Sequence, residues 1–364
     1  MPHHSSQAPA YRAIGFCLAI VVAAPMTTSG AHAEDMSREA AAYLDQALDL
    51  MQEHSMRRGH IDWHELRSQT VERASASRDA IDTYPAIRFA LEQLGDRHSF
   101  LQLSAELSEL ERERHPHGDR SPGEPQDSDT PSMRREMEAR VLEDAQIGYV
   151  AVPCTAGWNM QAYADRLHEG VDRVADSRPC GWIVDLRGNA GGNMWPMLAG
   201  VGPLIGGGPF GSFVGPEGTT GIWFYEAGQS GVEHPDGSRQ VESQISGEPV
   251  SLKSTPPVAV LIGGGVGSSG EAVAIAFKGR PDTRFFGNPT YGIPTSNRGF
   301  RLPDGANLVI TVGANADRSG KPYLDSIEPD VVTEGRWDRK TANIALDAAT
   351  NWLLLHPNCR QPSK

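Results

Sequence analysis

VAVLIGGGVGSSGEAVAIAF, residues 258–277, is the stretch on which the reading of the fold turns. Val258 to Ile262 is an apolar run rich in β-branched residues and reads as a strand. A glycine-rich turn with two serines follows, and from Glu271 the small residues read as a helix. A strand–turn–helix unit lifts its turn off the sheet and aims backbone N–H groups at one spot beside a helix N-terminus. Such a spot suits a nucleophile with an oxyanion hole, and equally a phosphate.

Outward from this unit, the chain from Ile147 alternates strand and helix. Ile147 to Val152 reads as a strand and Trp158 to Ala175 as a helix. Gly181 to Leu186 is a buried strand ending in Arg187-Gly188-Asn189-Ala190-Gly191-Gly192, and Met194 to Leu204 continues as a helix. A glycine-rich segment (Gly206 to Gly218) precedes a strand at Gly221 to Tyr225. Further strands are predicted at Val258–Ile262, Thr283–Phe286 and Leu308–Val312 and just after Asp330, and a last helix over about 338–355. The pattern predicts an α/β fold with a mostly parallel sheet covered by helices.

Upstream, Ser37 to about Leu94 is helical in pattern. Leu44, Ala47, Leu48 and Met51 share one face, and Asp62 with Glu65 reads as a capping box. Thr83-Tyr84-Pro85 opens a third predicted helix, closed by Gly95. Residues 102–145 are rich in Glu, Arg, Ser, Asp and Pro, a composition that predicts a charged, solvated linker or lid. The expected organisation is a signal peptide over 1–33, a helical cap over 34–101, the linker over 102–145 and an α/β core over 146–364.

The signal peptide reading rests on Arg12, an apolar run from Ile14 to Ala24, and Ala31-His32-Ala33 as the cleavage site. The run is too short to span a bilayer, and no later stretch is long enough, so the expectation is a periplasmic or secreted protein with no span after cleavage. Losing Arg12 takes the formal charge from −13 to −14, which argues against nucleic acid as a partner. Of four cysteines, Cys17 leaves with the signal. Cys154, Cys180 and Cys359 then allow one disulfide and an odd thiol, with the pairing open. Their spacings match no zinc site.

Gly265-Val266-Gly267-Ser268-Ser269-Gly270 fits the dinucleotide fingerprint in letters. No acidic residue ends a following strand where a ribose hydroxyl needs one, and the element lies late in the chain. The nucleophile elbow of the α/β-hydrolases fails too, since Val266 and Glu271 hold its glycine positions. A purely structural glycine turn remains open. The nucleophile reading needs a base, and His98, in a polar loop past a helix end, is the candidate. It also needs oxyanion donors, which Asp185-Leu186-Arg187-Gly188-Asn189-Ala190-Gly191-Gly192 offers at a strand end.

In order, D-x-H-S-F-L, D-L-R-G-N-x-G-G, S-S-G-E, T-Y-G and I-x-P-D resemble the C-terminal processing (tail-specific) serine peptidases. The similarity is to the branch without a PDZ domain, which includes the nisin-resistance proteins, and it runs from about residue 37 to 355. The roughly 45 residues between the His98 loop and Ile147 are too few for a PDZ domain, domains seldom being shorter than about 50. The resemblance implies a crotonase/ClpP-like α/β sandwich core with a helical N-terminal cap and a C-terminal helix.

It also implies roles. Ser268 matches the family nucleophile, the N–H of Ser269 one oxyanion donor, and Gly191 or Gly192 the other. Many members place a lysine base 25 residues after the serine; here Ile293 stands at that position. Members lacking the lysine resemble this chain, and His98 takes the base position. Glu271 is expected to orient His98 or to serve as a first-turn acid of its helix. Asn297 falls where a supporting glutamine stands, and Asp96 and Arg187 are expected to hold loops in place. Trp195 and Met197 fall between substrate pocket and core.

The reading is thus a serine endopeptidase acting on peptide or protein substrates with no metal or cofactor required, and its oligomeric state is open. With an ordinary histidine pKa near ~6.5, the acid limb of kcat/KM is expected around neutrality. The rival is a catalytically silent binding protein on the same fold, kept open by the missing lysine.

Overall fold

The computed structural model describes residues 35–115, 136–142, 146–252, 254–333 and 342–360; the expected signal peptide lies outside them. Three helices lead: α1 (Arg38–His54), α2 (Trp63–Arg73) and α3 (Ala80–Gln93). Asp62 caps α2 through the Glu65 N–H, as its spacing predicts. Helix α3 starts earlier than predicted. Asp79 is its N-cap, accepting from the Asp82 N–H, and Pro85 lies inside it. Gly95 follows α3 at φ +69°, the left-handed stop expected of it.

Next come β1 (Phe100–Gln102), α4 (Ala105–Arg114), β2 (Glu138–Leu142), β3 (Ile147–Ala151), α5 (Met160–Ala175) and β4 (Gly181–Asp185). Then follow α6 (Met194–Ile205), β5 (Gly211–Gly215), β6 (Gly218–Glu226), β7 (Gln229–Glu233), β8 (Arg239–Gln244) and β9 (Val258–Ile262). The chain continues through α7 (Ser269–Phe277), β10 (Thr283–Gly287), β11 (Thr295–Arg301), β12 (Asn307–Asp317) and β13 (Pro322–Tyr323). It closes with β14 (Val331–Val332), α8 (Ala342–Leu354) and α9 (Pro357–Arg360).

Two sheets form where one was predicted. The first has the order β14-β10-β9-β4-β3-β2 and is parallel except for β2. Strand β9 lies inside it between β4 and β10, which is why all five of its residues are buried. Val258, Val260 and Ile262 face the core shared with α5, α6 and α7, while Ala259 and Leu261 face α8. The second sheet has eight strands in antiparallel pairs, running β1-β12-β5-β6-β7-β8 with β11 and β13 also on β12. Phe213 and Trp223 of this sheet pack on the α5–α7 core, whereas Leu308 and Ile310 pack under α1 and α3. The result is an α/β sandwich with a helical cap and a C-terminal helix.

The stretch predicted as a linker is partly regular. Helix α4 is tied to α3 by the Arg88–Glu111 ion pair, and β2 pairs along β3. Residues 116–135 and 143–145 lie outside the described residues. Cys180 and Cys359 form the disulfide, joining the start of β4 to α9, and Cys154 is the free thiol.

Candidate active site

The β9–α7 turn brings Ser268 to φ 49° and ψ −118°, outside the regions a residue with a Cβ normally occupies. What holds it there is Glu271, fully buried in the first turn of α7. Its carboxylate accepts from the Ser268 N–H (2.9 Å), the Gly292 N–H (2.8 Å), the Ile293 N–H (2.9 Å) and the Thr290 hydroxyl. Burial pushes the Glu271 pKa up, against the pull of these four donors. Of the two roles expected of Glu271, these contacts match the first-turn acid of its helix: its oxygens accept from the serine turn and the 290–293 loop, and it shares no hydrogen bond with His98.

The oxyanion side is built by β4 and the loop after it. Asp185, buried at the end of β4, pairs with Arg187 (2.8 Å) and accepts from the Tyr149 hydroxyl (2.9 Å). Two residues on, Asn189 ties three segments together. Its amide donates to the Val152 carbonyl (3.0 Å), its side-chain oxygen accepts the Gly191 N–H (3.0 Å), and its carbonyl accepts the Gly267 N–H (3.0 Å). The Gly191 N–H is therefore taken up by Asn189. Neither the Gly192 N–H nor that of Ser269, the first residue of α7, has a partner among the described residues. A Cβ on Gly191 would stand 3.0 Å from Ser268 Cβ and 3.3 Å from the Ser269 nitrogen, so the glycine loop lies directly against the serine turn. The Ser269 hydroxyl donates to the Gly192 carbonyl (2.7 Å), whereas the Ser268 hydroxyl donates to nothing among the described residues and faces the Glu271 N–H as the capping-box oxygen of α7.

His98 sits in the loop between α3 and β1. Asp96 folds that loop by accepting from the His98 N–H (3.1 Å), the Ser99 N–H (2.7 Å) and the Ser99 hydroxyl (2.8 Å), and anchors it to β12 through the Thr311 hydroxyl (2.9 Å). Asn297 donates to the His98 carbonyl (3.0 Å), so it supports the histidine's backbone. The residue is 8% exposed, and its Nδ1 lies 2.7 Å from Thr295 Oγ1. Burial pushes its pKa down to about 4, only partly opposed by the Asp96 carboxylate.

His98 and Ser268 share no hydrogen bond; both are attached to the 290–297 segment. Ile293, at the position of the missing lysine, contributes its N–H to Glu271, and Thr295 two residues later meets His98. Arg97 donates to the carbonyls of Tyr291 (2.8 Å) and Gly292 (3.1 Å), tying the histidine loop to the same segment. Tyr291, 52% exposed, lies beside Gly267. Met197 is core, its sulfur 3.3 Å from Asn189, and Trp195 packs edge-on to Phe213. Asn189 stood inside a quoted motif without a role of its own. Thr290 carried the T-Y-G signal, while Thr295 carried no local signal at all.

A match to peptidase family S41 covers residues 146–333, just over half the chain. The chain belongs to peptidase family S41. As an S41 member it is a serine peptidase. It is 28% identical to the nisin-resistance protein of Lactococcus lactis subsp. lactis over 319 residues, 85% of this chain and 86% of that protein. It is 24% identical to the carboxy-terminal processing protease CtpA of Bacillus subtilis over 196 residues, 53% of this chain and 36% of that one. The fold is shared with a lipoprotein from Streptococcus agalactiae (TM-score 0.60, 22% identity, 87% of this chain and 96% of that one). It is also shared with the photosystem II D1 C-terminal processing protease (TM-score 0.56, 17% identity, 87% and 97%).

Proposed function

We propose that the S41 peptidase uses Ser268 as nucleophile and His98 as general base to cut peptide bonds in extended peptides or protein C-terminal tails. The observation that carries this reading is the Ser268 turn, a serine on strained backbone with the Gly191-Gly192 loop packed against it and with Ser269 and Gly192 N–H groups that have no partner among the described residues. As Ser268 Oγ attacks the carbonyl carbon, its proton passes to His98 Nε2. The oxyanion is held by the N–H groups of Ser269 and Gly192, each worth about 10²- to 10³-fold in rate. His98 then protonates the leaving amine, and water releases the acyl group. Catalytic hydrogen bonds often form only around bound substrate, and attachment of both loops to one segment supports the pairing in the free enzyme.

The relatives bear on the substrate. A carboxy-terminal processing protease and a nisin-resistance protein among them favour chains that enter the site unfolded. Such a chain would lie along a sheet edge or the groove under the helical cap. Export is part of the proposal. The Cys180–Cys359 disulfide favours an oxidising compartment, in line with a signal peptide over 1–33. No helix among the described residues is long and apolar enough to cross a membrane.

The test is product analysis by mass spectrometry on extended peptides and tailed proteins, using the purified protein with its Ser268→Ala and His98→Ala variants. Both variants should lose about 10⁴- to 10⁶-fold in kcat. Cleavage by Ser268→Ala at the parent rate would overturn the assignment.

A further inference from the structure

Serine peptidases with a histidine base usually have a carboxylate on the far ring nitrogen. Here neither nearby carboxylate is available to His98. Glu271 is occupied by its four donors, and Asp96 by the backbone of its own loop, the Ser99 hydroxyl and the Thr311 hydroxyl. The group that meets Nδ1 is the hydroxyl of Thr295, at 2.7 Å.

We propose that Thr295 is the positioning residue for the catalytic histidine, its hydroxyl accepting the Nδ1 proton so that Nε2 is left unprotonated to act as the base. The proposal rests on the reading of His98 as base. It stands on the construction of β11, which reaches His98 twice. Thr295, the first residue of the strand, meets the ring, and Asn297 holds the carbonyl of the same residue. The ladder with β12 shifts register between Ser296 and Asn297, an irregularity of the kind that re-aims side chains next to active sites. Ring and backbone are thus clamped from one strand, and rotation about the histidine side chain is restricted from both ends.

A hydroxyl in this place does a different job from a carboxylate. It selects the tautomer and the ring orientation without adding negative charge, so the imidazolium formed during attack gains no ion pair from it. Among the described residues, Asp96 is the charged group that acts on the ring. Asp96 lies on its own loop, Arg97 is turned to the carbonyls of 291 and 292, Glu271 of α7 is committed elsewhere, and β11 and β12 present Thr295, Asn297 and Thr311. A base kept neutral by burial and oriented by a neutral hydroxyl works in mildly acidic surroundings, where an ion-paired histidine is already protonated.

The experiment compares kcat, KM and the pH profile of peptide cleavage for the parent, Thr295→Val, Thr295→Ser, Thr295→Asp and His98→Ala. Nitrogen-15 NMR of the His98 ring supplies the tautomer. Thr295→Val should lower kcat about ten- to a hundredfold with KM within about twofold, and Thr295→Ser should restore it to within about threefold. In the parent the Nδ1-protonated tautomer should dominate, and in Thr295→Val the two should mix. Thr295→Asp should raise the acid limb by at least about one pH unit, because its carboxylate stabilises the imidazolium. A threonine needed only for folding moves neither the limb nor the tautomer. If Thr295→Val keeps parental kcat and tautomer while His98→Ala is inactive, this proposal falls and the base assignment stands. If His98→Ala is active, the base assignment falls and takes this role with it. Should Thr295→Val fail to fold, Thr295→Asp decides: an unmoved acid limb overturns the contact, and a raised one supports it.

Discussion

Lowering the pH protonates the base, and the pH at which that happens is set by where His98 sits. Burial holds its pKa at about 4 against an ordinary value of 6.5. The acid limb of kcat/KM reports the free enzyme, so it should lie near pH 4 to 5. At pH 5.5 a histidine of ordinary pKa would be only about one-tenth unprotonated and would cut the rate about tenfold, whereas a His98 titrating near 4 leaves kcat/KM close to its plateau. The same displacement makes stability depend on pH. Between about 4 and 6.5 the unfolded chain binds a proton at this histidine and the folded chain does not, so stability falls as pH falls through that window. Carried through in full, the displacement is about 3 kcal/mol, most of it lost by pH 4.5. Urea unfolding at pH 7 and 4.5 checks it, with His98→Gln as the reference that removes this one term while all other groups titrate as before. A limb near 6.5, or equal pH-dependent losses for the parent and His98→Gln, would refute the reasoning.

Asn189→Ala should lower kcat about a hundredfold or more and destabilise the fold by roughly 1–3 kcal/mol for each buried polar group it leaves unpaired, read by kinetics and urea titration. Glu271→Gln should lower stability and kcat together without moving the acid limb, since its new amide would face N–H donors while His98 is untouched; a shifted limb would return Glu271 to the histidine. Cys359→Ser should lower stability by about 2–5 kcal/mol, its partner lying 179 residues away, with kcat at 25 °C unchanged. Arg187→Ala should be among the most damaging single changes, at about 3–5 kcal/mol, because it strands the buried Asp185 carboxylate at the root of the oxyanion loop.

The parallel sheet and the serine turn were legible because interior strands read as continuous apolar runs, Val258 to Ile262 above all. Strand β6 was legible at Gly221 to Tyr225, but β5, β7 and β8 were hidden. Gly-Ser-Phe-Val-Gly (211–215) and Arg-Gln-Val-Glu-Ser-Gln (239–244) carry glycine and polar residues that antiparallel, half-exposed strands tolerate and that read as loop. Asp79 is hidden as the cap of α3 because Pro85, six residues later, reads as a helix start. Within the site, Ser268, His98 and the Gly-Gly loop could be picked out by residue type and order. The division of labour among them could not. Which glycine keeps a spare N–H depends on where the Asn189 side chain points, and which group meets His98 depends on β11 crossing to a loop 197 positions away. Glu271 shows the limit most clearly, since a first-turn acid next to a serine fits a triad on paper and is consumed by the turn in space.

The central claim is that Ser268 is the nucleophile of an S41 peptidase that works without the lysine. A fluorophosphonate probe tests it most directly, by intact mass and by mapping the modified peptide. The expected result is a single adduct on Ser268, absent from Ser268→Ala and slowed by orders of magnitude in His98→Ala. An adduct on another residue, or none in a folded protein that still cleaves peptides, would contradict the account.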